Sequence, residues 1–294
     1  MKKLTVLITL IFFSLSAFAQ MDFSGEWAPV YHEDAADRIP GPELGDYMGL
    51  PLNSAALLRA QSWEAGQISL MQNQCRPHSS DYGMRGLGNM RVTRDLDDAQ
   101  EWVAFKTFIA AWGSERTIWM DGREHPPEYA EYTFQGFSSA VWEGNTLVVT
   151  TTHQKANYHR RNGVPSSDQR IITEYWTRHG DVLTVVTAVD DPVFFTEPLV
   201  RSQNWVLDLG QQQSSFYCEY VGELPELVDG KVPHYLPGEN PYLDEIATTY
   251  GIPIEVLSGG AEKMYPEYQL VMPEAESSPL MCTVLCNCQG FADC

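Results

Sequence analysis

The sequence predicts a mainly β fold, an antiparallel meander closing as a lipocalin-like barrel, on two observations. Between residues 90 and 220, short runs rich in Val, Ile, Thr, Phe and Trp recur with polar breaks, and no break holds a helical pattern. Two breaks, Glu143-Gly144-Asn145 and Arg178-His179-Gly180-Asp181, set Gly between β-prone runs. That is a hairpin signal, because Gly takes the positive φ such a turn needs.

In chain order, MKKLTVLITLIFFSLSAFA reads as an export signal. Lys2 and Lys3 are charged, Leu4 to Leu15 is mostly apolar, and Ala17-Phe18-Ala19 is a small-x-small cleavage site. The apolar run is shorter than the roughly 20 residues of a spanning helix. Cleavage is expected after Ala19, and the mature chain is expected in a periplasm or secreted. Residues 20–89 form an N-terminal segment. It holds an entry strand at Met21–Trp27, a loop rich in Pro, Gly and Asp at Tyr31–Pro51, and a helix over Asn53–Leu70 capped by Asn53 or Ser54. A Gly- and Arg-containing loop follows from Cys75 to Asn89.

The barrel core is expected over 90–222. Its strands fall at Met90–Thr93, Glu101–Phe108, Arg116–Met120, Tyr132–Trp142, Thr146–Thr152, Arg170–Thr177, Val182–Val189, Leu199–Leu207 and Ser214–Tyr220. Residues 223–294 change character and read as an appendage. Pro233, Pro237, Gly238 and Pro241 mark a linker, and Pro241–Tyr250 is a short helix ended by Gly251.

Charge excludes several partners. The chain carries 19 basic residues, two of them in the leader, against 39 acidic ones, for a net charge of −20. Nucleic acid and anionic membrane surfaces both need Lys and Arg, so neither is an expected partner. No EF-hand spacing and no H-x-x-x-H or H-E-x-x-H pattern occurs, so no metal and no cofactor is expected. The six cysteines of an exported chain point to disulfides. Pairing Cys75 with Cys218 would tie together the two ends of a domain. Cys282, Cys286, Cys288 and Cys294 crowd the tail at a spacing unlike that of zinc sites, with three internal pairings open.

The central region carries long recurring phrases. They are Arg116-Thr117-Ile118-Trp119-Met120-Asp121-Gly122-Arg123-Glu124-His125-Pro126-Pro127, Trp142-Glu143-Gly144-Asn145-Thr146-Leu147-Val148-Val149, Ile172-Thr173-Glu174-Tyr175-Trp176 and Asp191-Pro192-Val193-Phe194-Phe195-Thr196-Glu197-Pro198. In these phrases the chain resembles a large family of exported, uncharacterised bacterial proteins, which implies an exported β protein and no particular activity. Asn145 stands where the family has a turn Asp, and His153 where it more often has an aromatic or Gly. Further on, GENPYLDEIATTYGIPIEVL resembles part of a LysM cell-wall-binding repeat, which would imply contact with peptidoglycan through residues 234–272.

Three groups can carry chemistry. Arg123 and His125 sit two apart beside a turn that Asp121 can organise. The loop Asn157–Gly163 holds Tyr158, His159, Arg160 and Arg161, the most basic patch in an acidic chain, and adjacent arginines can clamp a carboxylate. His125, His153 and Asp168 are the candidates for general acid-base work. Asp190-Asp191-Pro192 reads as a turn at a strand end, and Ser138 lacks the G-x-S-x-G context of a nucleophile elbow. Among the strand tryptophans, Trp119 and Trp142 are expected to line an apolar site. The leading expectation is a binding protein for a small, largely apolar ligand whose carboxylate is held by Arg160, Arg161 or Arg123. The rival is an enzyme of proton-transfer chemistry (isomerase, cyclase or hydrolase) on the same scaffold.

Overall fold

The computed structural model describes residues 21–30, 43–71, 73–86, 88–109, 113–211, 213, 217–221 and 234–273. The expected leader, the four tail cysteines and Trp112 lie outside the described residues. Strands β1 (Gly25–Pro29), β2 (Met90–Leu96), β3 (Trp102–Ile109), β4 (Ser114–Trp119), β5 (Phe137–Glu143) and β6 (Thr146–Thr152) are followed by a small ladder of β7 (Asn157–Tyr158) and β8 (Pro165–Ser166). Then come β9 (Ile171–His179), β10 (Val182–Asp190) and β11 (Leu199–Leu207). Nine strands close a barrel in the order β1-β11-β10-β9-β6-β5-β4-β3-β2. β1, from the N-terminal segment, pairs with both β2 and β11 and completes the ring.

The antiparallel meander needs one correction. β4 and β5 run parallel, with Ile118 beside Ser138 and Trp119 beside Ser139. The cause is topological: directions can alternate all round a ring only when the strand number is even, so nine strands force a parallel pair. Met120–Gly136 must therefore return along the barrel, and it does so without a helix. Near its end it lies against the end of β6, where the Thr133 amide donates to the His153 carbonyl (3.0 Å) and the Lys155 amide to the Thr133 carbonyl (2.8 Å). The expected strand at Ser214–Tyr220 also needs correction, since Tyr217–Tyr220 joins no ladder. Gln74 takes its neighbour Val221 instead, donating to its carbonyl (3.0 Å) and accepting from its amide (2.8 Å). The β5–β6 hairpin forms where the Gly signal put it, with Gly144 at φ 61° in a two-residue turn.

Strand alternation sorts the barrel interior into two halves. Towards one end Phe23, Trp27, Phe105, Leu147, Trp176, Leu183 and Trp205 interlock with no exposed surface. Each such side chain contributes up to about 3 kcal/mol of burial. This end is packed solid, and Trp142 belongs to it, stacked 5.6 Å from Phe23. Towards the other end the inward positions turn polar. Arg116 on β4 forms a bidentate pair with Glu174 on β9 (2.8 and 3.1 Å) and also donates to Ser138 and Thr151. Trp176 donates its indole N–H to the same carboxylate (2.9 Å).

A cap closes the polar end. Helix α1 (Ser54–Gln61) begins at Asn53, whose side chain accepts from the Ala56 amide (3.0 Å), and a 3-10 turn follows at Ala65–Ser69. The helix expected over Asn53–Leu70 is thus broken in two after Gln61. The single turn α2 (Ser80–Gly83) is wholly buried and plugs the barrel mouth. Tyr47, Leu50, Leu52, Ala56, Ala60 and Phe195 form a second core with Ile172 and Val189, the mouth-end residues of β9 and β10. Helices α3 (Glu245–Tyr250) and α4 (Ile254–Leu257) lie beyond, with α4 tied on by the Tyr47 amide donating to the Leu257 carbonyl (2.9 Å). Cys75 and Cys218 are bonded, with Cα atoms 5.6 Å apart, as their spacing led us to expect.

Candidate functional site

A cavity of about 940 Å³ opens in the cap, outside the barrel lumen. Its walls come from α1 and the following turn (Arg59, Trp63, Gln67), from the loop at the disulfide (Asn73 to His78, with Cys218 and Val221), from β7 and β8 (Asn157, Tyr158, Ser166) and from Val193 and Phe194. The position of each wall has a local cause. Gly163, at φ 91°, lets Trp63 approach so closely that a Cβ there would lie 2.3 Å from the Trp63 Cβ. Trp63 in turn meets the Tyr158 ring at 5.6 Å, while His78 stacks on Tyr82 at 4.0 Å and meets Tyr158 edge-on at 5.4 Å.

Asp191 holds β8 and the Phe194 wall together. One carboxylate oxygen accepts from the Ser167 amide (2.7 Å), and the other from the Ser167 hydroxyl (2.7 Å), Val193 and Phe194 amides. The carboxylate before Pro192 is therefore a turn organiser. Behind the wall lies a second buried carboxylate, Asp81 on α2, which accepts the His159 Nδ1–H at 2.6 Å. Burial works to raise the Asp81 carboxyl, but His159, Arg170 and Arg201 outweigh it and hold the group well below the usual range. Burial, with Arg170 and Arg201, keeps His159 neutral against the pull of Asp81. The ring of Phe195 covers His159 at 4.9 Å.

Two arginines, Arg59 and Arg76, line the cavity. Five cations elsewhere take carboxylates: Arg91 with Glu26, Arg94 with Asp22, Lys106 with Asp95, Arg116 with Glu174 and Arg123 with Asp121. Among the described residues, Arg59 and Arg76 on the cavity wall and Arg161 beside it take no carboxylate. Away from the cavity Arg178 takes backbone carbonyls, Lys155 the Phe134 ring and Lys263 a carbonyl and a hydroxyl. Arg59 lies over the Phe194 ring at 6.0 Å; Arg76 lies over Phe134 at 4.8 Å and donates to Asn73. Arg161 acts on the same cluster by its charge, since it is the strongest influence on His78 after burial. Burial, then Arg161 and Arg85, push the His78 imidazole down to about 3. Asp168 and Glu219 also line the cavity.

The residues singled out in the sequence are scattered by the fold. Tyr158 and Asp168 stand on the cavity wall, with Arg161 close by; His159 is fully buried behind it. Arg123 braces its turn, clasping Asp121 and lying 3.4 Å over the Trp119 ring, past the end of β4 remote from the cap. His125 and His153 are brought together, each bonded to Thr152 (2.8 and 2.7 Å). The Pro127 carbonyl can only accept, so it takes the His153 Nε2–H at 3.0 Å. In neutral rings this fixes the rest of the chain: Thr152 donates to His153, His125 Nδ1 donates to Thr152, and Ser139 donates to His125 Nε2 at 2.8 Å. Burial and the neighbouring His153 lower the His125 pKa, which keeps it neutral. Neither histidine lines the cavity. Their chain pins the Met120–Gly136 return segment to β5 and β6, and His153 holds a left-handed backbone (φ 59°) to do so.

Sequence reasoning missed Arg59, Trp63, Arg76 and His78, which sit in a helix end and a disulfide loop. The available signal was Arg76 and His78 directly after Cys75, the cysteine expected to anchor a domain end. Comparison of the chain with protein-family models, curated proteins and solved structures returns no match, so geometry alone carries the functional reading.

Proposed function

We propose that the protein binds a small ligand with a flat apolar body and one anionic group, held in the cap cavity. The observation that carries this is the placing of Arg59 and Arg76 on the cavity wall, with Arg161 close by, none of the three taking a carboxylate among the described residues. Acidic partners abound, so guanidiniums left without one keep strong, charge-assisted donors available for a ligand. Trp63, Tyr158 and Phe194 supply apolar faces, and the cavity volume suits a small molecule. Asp168 and Glu219, which also line the cavity, disfavour a polyanion. The export signal belongs to the same reading: the ligand would be met in an oxidising compartment, where the Cys75–Cys218 bond persists.

A pair of fluorescent probes tests the proposal. 8-Anilino-1-naphthalenesulfonate carries aromatic rings and an anion; N-phenyl-1-naphthylamine has the same rings without the charge. Arg59→Ala with Arg76→Ala should weaken the sulfonate by about tenfold or more and barely change the amine, because a charge-assisted hydrogen bond contributes roughly 1.5–3 kcal/mol. Equal losses for both probes would rule out the anion contact. Failure of both to bind the unaltered protein would rule out the cavity.

A further inference from the structure

Three side chains of the cavity wall hold polar atoms that bond to nothing. The indole N–H of Trp63, both ends of the Asn157 amide and the hydroxyl of Ser166 are shut off from solvent, with no hydrogen-bond partner among the described residues. Ser166 has no exposed surface at all. Buried polar groups are nearly always paired in folded proteins, because an unmet one has given up its bond to water for nothing. Trp142 and Trp205 also leave their N–H unmade, but they stand in the packed half of the lumen, away from the cavity. The three on the wall are neighbours. Asn157 and Ser166 are partners across the β7–β8 ladder, so their side chains point the same way with Cβ atoms roughly 5 Å apart. They do not bond each other. Trp63 meets the ring of Tyr158, the residue after Asn157.

We infer that the ligand of this cavity carries a neutral amide beside its apolar body and its anion, as an N-acylated amino acid does; the inference rests on the binding proposed above. The chemistry of the three groups selects that partner. The Trp63 N–H can only donate, so it needs an acceptor. The Asn157 amide leaves a donor and an acceptor unmade and needs the complement of both. The Ser166 hydroxyl can turn to serve either. An amide supplies one carbonyl and one N–H in a single uncharged unit, and rotation about their side-chain bonds presents Asn157 and Ser166 to it. A hydroxyl gathers donor and acceptor on one atom, whereas an amide sets them on opposite edges, which suits groups that arrive from three residues. A second anion would meet Asp168 and Glu219.

Displacement of 8-anilino-1-naphthalenesulfonate from the mature full-length chain by three acids of one length tests this. N-Benzoylglycine has a ring, an amide and a carboxylate. 3-Benzoylpropionate keeps the carbonyl but has CH2 in place of the N–H, and 4-phenylbutyrate has CH2 in place of both. Transfer out of water by itself favours the last, since burying an amide costs more than burying methylenes. The expected order is the reverse: N-benzoylglycine about tenfold tighter than 4-phenylbutyrate, with 3-benzoylpropionate between them. Asn157→Leu should cut that ratio to about two or less, and Trp63→Phe, which keeps a ring and removes the N–H, should lower it as well. The deleted atoms make no bond within the fold, so both variants should keep the circular dichroism spectrum. If 4-phenylbutyrate binds as well as N-benzoylglycine, trapped water meets the three groups, and the inference falls while the cavity reading stands. A tenfold ratio that neither substitution changes overturns it too. A sulfonate that does not bind at all removes the cavity reading and the inference together.

Discussion

Arg116 and Glu174 show how much a single inward position can decide. Both are almost wholly buried, and between them they satisfy Ser138, Thr151 and the Trp176 indole. Glu174→Gln would leave the guanidinium without its counter-charge, so it should destabilise the fold by about 3–5 kcal/mol, read as a shift in the urea unfolding curve. This pair is legible in the sequence. Alternation places Arg116 on the face of Ile118, and Glu174 on the face of Ile172 and Trp176, all core residues. His78 gives a second residue-scale prediction. An unfolded His78 titrates near 6.5, whereas the folded group is held down to about 3. Between those values the unfolded chain binds a proton that the folded chain refuses, so stability falls as pH is lowered, by up to roughly 1.4 kcal/mol per unit. His125 and His159, also lowered, act in the same direction. His78→Phe should flatten the dependence of the urea midpoint on pH between about 6.5 and about 4.

At the scale of elements, what could be read and what could not divides by range along the chain. The β5–β6 and β9–β10 hairpins are local: alternation plus one Gly specifies each. The parallel β4–β5 pair is not local, because Met120–Gly136 has no helical crossover pattern to announce a change of direction. The false strand at Ser214–Tyr220 has a similar origin, since β-prone residues there serve a disulfide and not a ladder. That disulfide spans 143 residues of sequence, which in the chain-entropy account makes it worth about 5 kcal/mol. Cys75→Ser with Cys218→Ser should lower the unfolding free energy by up to about that amount. It should also weaken the sulfonate probe, because Cys218 and Val221 would no longer be held on the cavity wall.

For the molecule as a whole, the barrel follows from composition and pattern, whereas the cavity does not. Its walls are drawn from separated stretches, around residues 59–78, 156–169, 193–194 and 218–221, with His234, and no periodicity links them. The sequence places basic residues at Arg160 and Arg161; folding sets Arg59 and Arg76 at a cap, and fills the lumen with tryptophan in one half and the Arg116–Glu174 network in the other. The ring itself has one more consequence. Synthesis delivers β1 first, yet β1 needs β11, the last barrel strand, before both of its sides are covered. Until Leu207 has left the ribosome, the growing protein is an open sheet with bare edges, able to pair with whatever strand lies near. Any chain that stops short of that residue is thus a candidate for aggregation, and the chain must be kept apart from its neighbours until β11 is there to close the ring.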